Sequence, residues 1–220
     1  MQRLAAVMFD LDGTLLDTLA DIAAGGNHAL RELGRPVHPV SAYRQLAGQG
    51  APWLIAHALG PGQQHLAARG LEIFKAYQLR HGLDQTQPYA GIPELLDALV
   101  SRGMPLAVLS NKPERATQEA VRLRLGRWRF AALAGHRGGG PLKPDPAGAL
   151  EIAYRLGVEP ERWLYLGDTK VDMVTALRAG MFAVGATWGF RDEAELRAAG
   201  AAAIVHHPGE VVGLVDAGGR

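Results

Sequence analysis

Short apolar runs and longer amphipathic segments alternate along most of this chain. Unbroken apolar runs are typical of strands buried on both faces, and apolar residues spaced three and four apart are typical of helices. The predicted strands are Leu4–Phe9, Leu106–Leu109, Phe130–Ala134, Trp163–Leu166, Phe182–Ala186 and Ala203–Val205. The helices predicted between them are Pro93–Arg102, Glu114–Leu125, Ala147–Leu156 and Met173–Ala179. This alternation predicts an α/β fold in which helices cover both faces of a parallel sheet.

The stretch between the first two predicted strands differs, because its pattern stays helical from Asp17 to about Asp84. Breaks that contain glycine divide it into predicted helices at Thr18–Leu33, 39–47, Pro52–Leu59 and Leu66–Leu79. We therefore expect two domains, an α/β core of residues 1–16 and 86–220 and a helical cap of residues 17–85. Since the helical domain follows the first strand directly, we expect it to act as a lid over the end of that strand.

Composition narrows the classes of protein to consider. The chain has 220 residues, of which 48% are hydrophobic and 20% are charged, so a substantial core is available. A net charge of +1 without a long basic run favours neither a nucleic acid nor a membrane surface as partner. The chain has no cysteine, which excludes a disulfide framework and a thiol nucleophile. Its start does not resemble a signal peptide and no stretch is apolar enough to span a membrane, so we expect a cytoplasmic protein, either a monomer or a homodimer.

The first predicted strand ends in two carboxylates, Asp10 and Asp12. Open α/β sheets bind their ligands at the carboxyl ends of the strands, and two acids this close repel each other unless a cation lies between them. A divalent cation with oxygen ligands, Mg²⁺ above all, meets that need, and one carboxylate can then attack while the other moves protons. Gly13 permits a sharp turn, and Thr14 offers its hydroxyl to an anionic substrate or to the turn. The alternative is an ordinary turn with a capping acid.

Polar clusters also follow three later strands. Ser110 and Asn111 offer a hydroxyl and an amide to phosphate oxygens, and Lys143 offers a positive charge in a stretch stiffened by Pro144 and Pro146. Gly167-Asp168 and Asp172 add carboxylates for a metal ion. Each cluster alone has a structural explanation as a helix start, a turn or a helix cap. Their shared position at the ends of predicted strands favours a common site.

The stretch Phe9–Leu15 resembles the signature of the haloacid dehalogenase-like (HAD) phosphatases, and the four clusters resemble the four HAD motifs in the family's order. The resemblance spans residues 7–172. It implies a doubly wound, Rossmann-like parallel-sheet core with an inserted all-helical cap domain. It also implies a phosphatase that acts on a small phosphorylated metabolite.

The resemblance assigns roles in the chemistry to the acidic residues. Asp10 would be the nucleophile that forms an aspartyl-phosphate, and Asp12 would be the general acid and base. Mg²⁺ would be held by Asp10, by Asp168 and by the backbone carbonyl of Asp12. Gly167 and Asp172 would support the site.

The resemblance also assigns residues that bind the substrate. Ser110 would bind the transferring phosphoryl group with Asn111 beside it, and Lys143 would neutralise the charge of the phosphate and of the nucleophile. The core motifs handle the phosphate, so we expect the cap to select the rest of the substrate. Arg44, followed by Gly48-Gln49-Gly50, is similar to the cap pattern of phosphoglycolate phosphatases and would bind the substrate carboxylate. The alternative is a solvated helix residue followed by a plain turn.

Within the family, the residues favour one substrate. The stretches Ser110–Glu114, Lys143–Pro146, Gly167–Met173 and Trp188–Arg191 are similar to those of phosphoglycolate phosphatases. The acid at Asp12 disfavours dehalogenation, and the absence of lysine from Thr18–Leu33 disfavours the Schiff-base chemistry of phosphonatases. We therefore expect 2-phosphoglycolate as substrate, with a sugar phosphate or pyrophosphate as alternatives. A non-catalytic phospho-acceptor or a binding protein remains a further alternative.

Overall fold

A computed structural model describes residues 3–218, which divide into two compact units. One unit runs to Leu16 and resumes at Pro88, and the other is Asp17–Gln87. The strands are β1 (Ala6–Phe9), β2 (Leu16–Asp17), β3 (Gln87–Pro88), β4 (Leu106–Pro113), β5 (Ala132–His136), β6 (Trp163–Gly167), β7 (Phe182–Ala186) and β8 (Ala203–Val205). The helices are α1 (Leu19–Glu32), α2 (Tyr43–Leu46), α3 (Ala51–Leu59), α4 (Ala67–His81), α5 (Ile92–Ser101), α6 (Glu114–Arg124), α7 (Ala147–Leu156), α8 (Lys170–Arg178), α9 (Glu193–Ala198) and α10 (Glu210–Asp216).

Six strands of the first unit form one parallel sheet in the order β5-β4-β1-β6-β7-β8. All four residues of β1 are buried, as a strand covered on both faces requires. Phe9, the last residue of β1, is aligned with Val108 in β4 and with Leu166 in β6. The chain places β4 and β5 on one side of β1 and the later strands on the other. Ligands of open α/β sheets bind at such a reversal of strand order, outside the carboxyl ends of the strands. The predicted α/β fold is confirmed.

The helices of this unit are amphipathic and turn their apolar faces inward. In α5, Ile92, Leu95, Leu96 and Leu99 are buried at helical spacing. On β6, Trp163 and Tyr165 are fully buried in an apolar cluster of the core. Across residues 3–218, no helix combines the length and the apolar character needed to cross a membrane.

The second unit is helical, and a buried acid joins its two ends. Asp21 in α1 accepts hydrogen bonds from the backbone N–H groups of Gln85 and Thr86 and from the hydroxyl of Thr86. The hydroxyl of Tyr43 in α2 donates to Asn27 of α1 at 2.9 Å. These contacts tie the last residues of the unit and its short second helix to α1.

The structure corrects several predicted boundaries. The strand predicted at Leu106–Leu109 continues to Pro113 as β4, with an irregularity in its pairing after Leu109. The helix predicted at Met173–Ala179 begins earlier, at Lys170, because Thr169 and Asp172 form a capping box at its start. The helices α9 and α10 were not predicted, since six and seven residues are too few for a clear helical period.

Candidate active site

The side chains predicted from the core motifs meet at the carboxyl edge of the sheet. Asp10 follows β1, Ser110 lies in β4 and Asp168 follows β6, and these three strands are neighbours. The buried polar residues at this edge are Asp10, Thr14, Ser110, Asn111, Lys143, Asp168, Thr169 and Asp172. So many buried polar groups require partners, because an unpaired buried charge is costly.

Lys143 is the central cation of the site. Its Nζ lies 2.8 Å from Oδ1 of Asp10 and 2.7 Å from Oδ1 of Asp172. Burial opposes the charged form of Lys143, but the two carboxylates outweigh burial and raise its pKa well above the ordinary value. Burial also raises the pKa of Asp10 well above its usual range, and Lys143 offsets this only in part. One ammonium thus contacts two buried carboxylates, and its charge does not cancel the effect of burial on Asp10.

Asn111 holds the backbone of Lys143 in place. Its amide nitrogen donates to the carbonyl of Lys143 at 3.1 Å, and its amide oxygen accepts from the N–H of Lys143 at 2.8 Å. This reciprocal pair joins β4 to the loop that carries the lysine. Asn111 therefore has a positioning task in addition to its predicted place beside the phosphate.

Asp168 is fully buried, and each of its carboxylate oxygens accepts a hydrogen bond. Thr14 donates its hydroxyl to Oδ1 at 2.7 Å, and the backbone N–H of Phe190 donates to Oδ2 at 2.8 Å. Burial is the largest cause that raises the pKa of Asp168 to about 7, followed by the nearby charge of Asp172. The Thr14 hydroxyl, predicted for an anion or for the turn, contacts the acid of another motif instead.

Two glycines allow the chain to approach Asp168 closely. Gly13 has a φ of 89°, and a Cβ atom there would lie 2.2 Å from Oδ2 of Asp168. A Cβ atom at Gly189 would lie 2.4 Å from the Cβ of Asp168 and 2.3 Å from the carbonyl oxygen of Gly13. Only glycine fits at either position, so the turn after β1 and the segment near residue 190 enclose this carboxylate.

The turn after β1 is fixed by its own backbone. The N–H groups of Leu15 and Leu16 donate to the carbonyl of Leu11, and the N–H of Gly13 donates to the carbonyl of Leu16. The indole N–H of Trp188 donates to the carbonyl of Thr14 at 3.0 Å. Trp188 and Phe190 were not predicted as site residues, although the stretch that contains them carried part of the family resemblance.

Asp172 both caps a helix and contacts the central lysine. Its Oδ2 accepts from the N–H of Thr169 at 3.0 Å and from the Thr169 hydroxyl at 2.7 Å, while Oδ1 contacts Lys143. Gly167 lies against Asp172, since a Cβ at this glycine would be 2.2 Å from the Cβ of Asp172. Asp172 thus caps α8 and also contacts Lys143, and its predicted supporting role in the site stays a prediction.

Asp12 is paired with a second lysine. The Nζ of Lys112 lies 3.0 Å from Oδ1 of Asp12, with 12% and 16% of the two side chains exposed. Lys112 was not among the predicted site residues. Its signal in the sequence is its place directly after Ser110 and Asn111, as one of only four lysines in the chain.

The acidic groups fit a divalent cation. Carboxylate oxygens of Asp10, Asp168 and Asp172 lie within 4.8 Å of one another, and all three residues are buried. With Asp12, four carboxylates face two ammonium groups, so two negative charges are left over when all are ionised. An oxygen-only donor set with this excess charge is suited to Mg²⁺.

Arg44 lies in the second unit, on the short helix α2, and its side chain is exposed. Gly48 and Gly50 have φ values of 102° and 89°, so the break after this helix needs glycine at both positions. The other predicted site residues belong to the first unit.

Comparison with known proteins finds a matching family, curated relatives and similar solved structures. A model of the haloacid dehalogenase-like hydrolase family matches residues 4–180. The phosphoglycolate phosphatase of Pseudomonas putida is 38% identical over 192 residues, which make up 84% of this chain and 70% of that protein. The phosphoglycolate phosphatase of Aquifex aeolicus is 34% identical over 184 residues, or 84% of this chain and 85% of that protein. A solved structure of a haloacid dehalogenase-like hydrolase from Streptococcus pneumoniae matches with a TM-score of 0.87 and 26% identity, covering 97% of this chain and 99% of that one.

Proposed function

The chain belongs to the haloacid dehalogenase-like hydrolases, and on that premise we propose that it is a Mg²⁺-dependent phosphatase for a small phosphate monoester. The observation that carries the proposal is the buried cluster of Asp10, Lys143 and Asp168 at the carboxyl edge of the sheet. The names of its relatives favour 2-phosphoglycolate as the substrate. A sugar phosphate or pyrophosphate remains the second candidate. The proposed location is the cytoplasm.

Asp10 is the proposed nucleophile. Phosphoryl transfer depends on positioning and on stabilising the charge of the equatorial oxygens. Lys143, held by Asn111, contacts the attacking carboxylate and supplies positive charge beside it. Ser110 offers a hydroxyl donor in the neighbouring strand. Asp10, Asp168 and the backbone carbonyl of Asp12 would hold Mg²⁺, which supplies further positive charge for the phosphate oxygens when bound.

Asp12 is the proposed general acid and base. It lies two residues after Asp10 on a turn fixed by backbone hydrogen bonds, and it is more exposed than Asp10. It would protonate the leaving alcohol as the bond to phosphorus breaks, and then take a proton from the water that attacks the aspartyl-phosphate. The more exposed acid is the one suited to meet a leaving group and water.

The helical unit is proposed as the cap that selects the leaving group. The core side chains described above would contact a phosphoryl group and a metal ion, and the phosphoryl group is common to all phosphate esters. Selection therefore needs groups that meet the remainder of the ester. Arg44 remains the proposed cap cation for a substrate carboxylate.

A panel of phosphate esters assayed with Mg²⁺ and with chelator tests the proposal. We expect turnover that requires Mg²⁺, is highest for 2-phosphoglycolate and disappears in the Asp10→Asn variant. Highest turnover for a sugar phosphate or pyrophosphate would replace the substrate and keep the mechanism. Full turnover in chelator, or an active Asp10→Asn variant, would contradict the mechanism itself.

A further inference from the structure

Lys112 is a largely buried lysine beside Asp12, the proposed general acid, and it has no role in the mechanism proposed for the site. Its Nζ lies 3.0 Å from Oδ1 of Asp12, and 12% of its side chain is exposed. Its backbone is fixed on both sides, since its N–H donates to the Ser110 hydroxyl and its carbonyl accepts from the Thr117 hydroxyl. The lysine is therefore anchored at the end of β4 with its ammonium directed at Asp12.

The position of Asp12 locates this ammonium relative to the substrate. A general acid must lie within hydrogen-bond reach of the bridging oxygen that it protonates. In 2-phosphoglycolate, the carboxyl carbon is only two bonds from that bridging oxygen. A cation in contact with Asp12 is thus beside the place where the substrate carboxylate must lie.

The ammonium of Lys112 also has donors to spare. A lysine has three N–H donors, and the contact with Asp12 occupies one of them. Lys143, in contrast, already contacts two buried carboxylates. Lys112 can bind a substrate anion without leaving Asp12.

We propose that Lys112 is a specificity-determining residue that binds the carboxylate of the substrate next to the bridging oxygen. This inference rests on the proposed function, and it adds to it, since it gives the core a selective contact that sequence reasoning assigned to the cap alone. When the leaving group of the ester has no carboxylate, Lys112 contacts Asp12 but gains no contact with the substrate. The core would then favour acid-bearing esters whatever the cap contributes.

The test compares two esters that differ in the carboxylate, 2-phosphoglycolate and ethyl phosphate. The variants are Lys112→Ala, Lys112→Gln and the charge-conserving Lys112→Arg, and the matched control is Lys170→Ala, which removes an exposed lysine at the same edge of the sheet. A loss of positioning at Asp12 lowers kcat/KM for both esters alike. The ratio of the two kcat/KM values therefore isolates the contact with the carboxylate.

We expect the ratio to fall about ten- to a hundredfold in Lys112→Ala and Lys112→Gln, the scale of a lost charged hydrogen bond. Most of this loss should be in KM for 2-phosphoglycolate. Lys112→Arg should retain most of the ratio, and Lys170→Ala all of it. Inhibition of ethyl phosphate hydrolysis by glycolate, which carries the same carboxylate, should weaken in Lys112→Ala.

Two results would overturn the inference alone. Equal losses on both esters would make Lys112 a positioning residue for Asp12, and unchanged kinetics would make it a surface cation. If the unmodified enzyme shows Mg²⁺-dependent turnover but no preference for 2-phosphoglycolate over ethyl phosphate, the proposed substrate fails and the inference fails with it. The preference of the unmodified enzyme thus distinguishes the two failures.

Discussion

Replacement of Lys143 by methionine should destabilise the metal-free protein in a strongly pH-dependent way. Lys143→Met preserves the length and most of the volume of the side chain, so it removes the charge without leaving a large cavity. It leaves the carboxylates of Asp10 and Asp172, which are 4% and 0% exposed, without the cation that lies 2.8 and 2.7 Å away. Removing one partner of a buried ion pair costs about 3–5 kcal/mol.

The sign of the pH dependence follows from the pKa of Asp10. Burial already raises this pKa well above its usual range, and loss of Lys143 removes the main influence that lowers it. The folded variant then keeps a proton that the unfolded chain releases above its ordinary carboxyl pKa. Stability therefore falls as pH rises, by about 1.4 kcal/mol per pH unit for each extra proton held by the folded state. Relative to the unmodified protein, the loss grows only over the pH range in which folded Lys143→Met keeps this proton and the folded unmodified protein has released it.

Urea unfolding in chelator, followed by circular dichroism at pH 5, 6, 7 and 8, measures this effect. We expect Lys143→Met to lose about 3–5 kcal/mol of unfolding free energy relative to the unmodified protein at pH 8, and much less at pH 5. The control Lys170→Met removes an exposed lysine and should change stability by less than about 0.5 kcal/mol at every pH. A loss below about 1 kcal/mol at pH 8, or a loss independent of pH, would refute the reasoning.

Three further predictions concern the metal, the packing and the cap. Burial raises the pKa of Asp168 to about 7, and a metal ligand must be ionised, so Mg²⁺ affinity measured by calorimetry should increase at least about tenfold from pH 6 to pH 8. A flat profile would contradict the combination of a raised pKa and metal binding at Asp168. Gly189→Ala places a Cβ 2.4 Å from that of Asp168 and should sharply raise the Mg²⁺ concentration needed for half-maximal activity. The control Gly213→Ala in α10, where the added Cβ meets open space, should leave this concentration unchanged. Equal behaviour of the two variants would contradict the close packing around Asp168. Arg44→Ala should lower kcat/KM for 2-phosphoglycolate by an amount equivalent to about 1–3 kcal/mol of transition-state stabilisation, and it should leave kcat/KM for p-nitrophenyl phosphate nearly unchanged. Equal losses of kcat/KM on the two esters would make Arg44 a structural residue.

The sequence predicted the fold and the family because both depend on local patterns. Apolar runs that end in acids indicate strands of a parallel sheet. Because the carboxyl ends of such strands meet at one edge, the sequence alone could predict that Asp10 and Asp168 lie close together. The resemblance to HAD phosphatases is confirmed by the family match over residues 4–180. The roles of the individual site residues stay predictions.

The contacts that could not be predicted join residues far apart in the chain. The hydrogen bond from Phe190 to Asp168, the reciprocal pair of Asn111 with Lys143 and the ion pair of Lys112 with Asp12 each depend on how separate strands and loops pack. No periodicity in the sequence encodes such distances. The same limit explains why Thr14, predicted for an anion or for its own turn, donates to Asp168 instead.

The central claim is that Asp10 carries the phosphoryl group during turnover, and chemical trapping tests it most directly. The enzyme is mixed with excess substrate and Mg²⁺, quenched in acid within a turnover, reduced with borohydride and digested for mass spectrometry. Borohydride converts an acyl phosphate to an alcohol, so we predict homoserine at position 10, in larger amount in the Asp12→Asn variant, where hydrolysis of the intermediate is slowed. An unmodified Asp10 peptide during rapid turnover, or reduction at a different acid, would contradict the account.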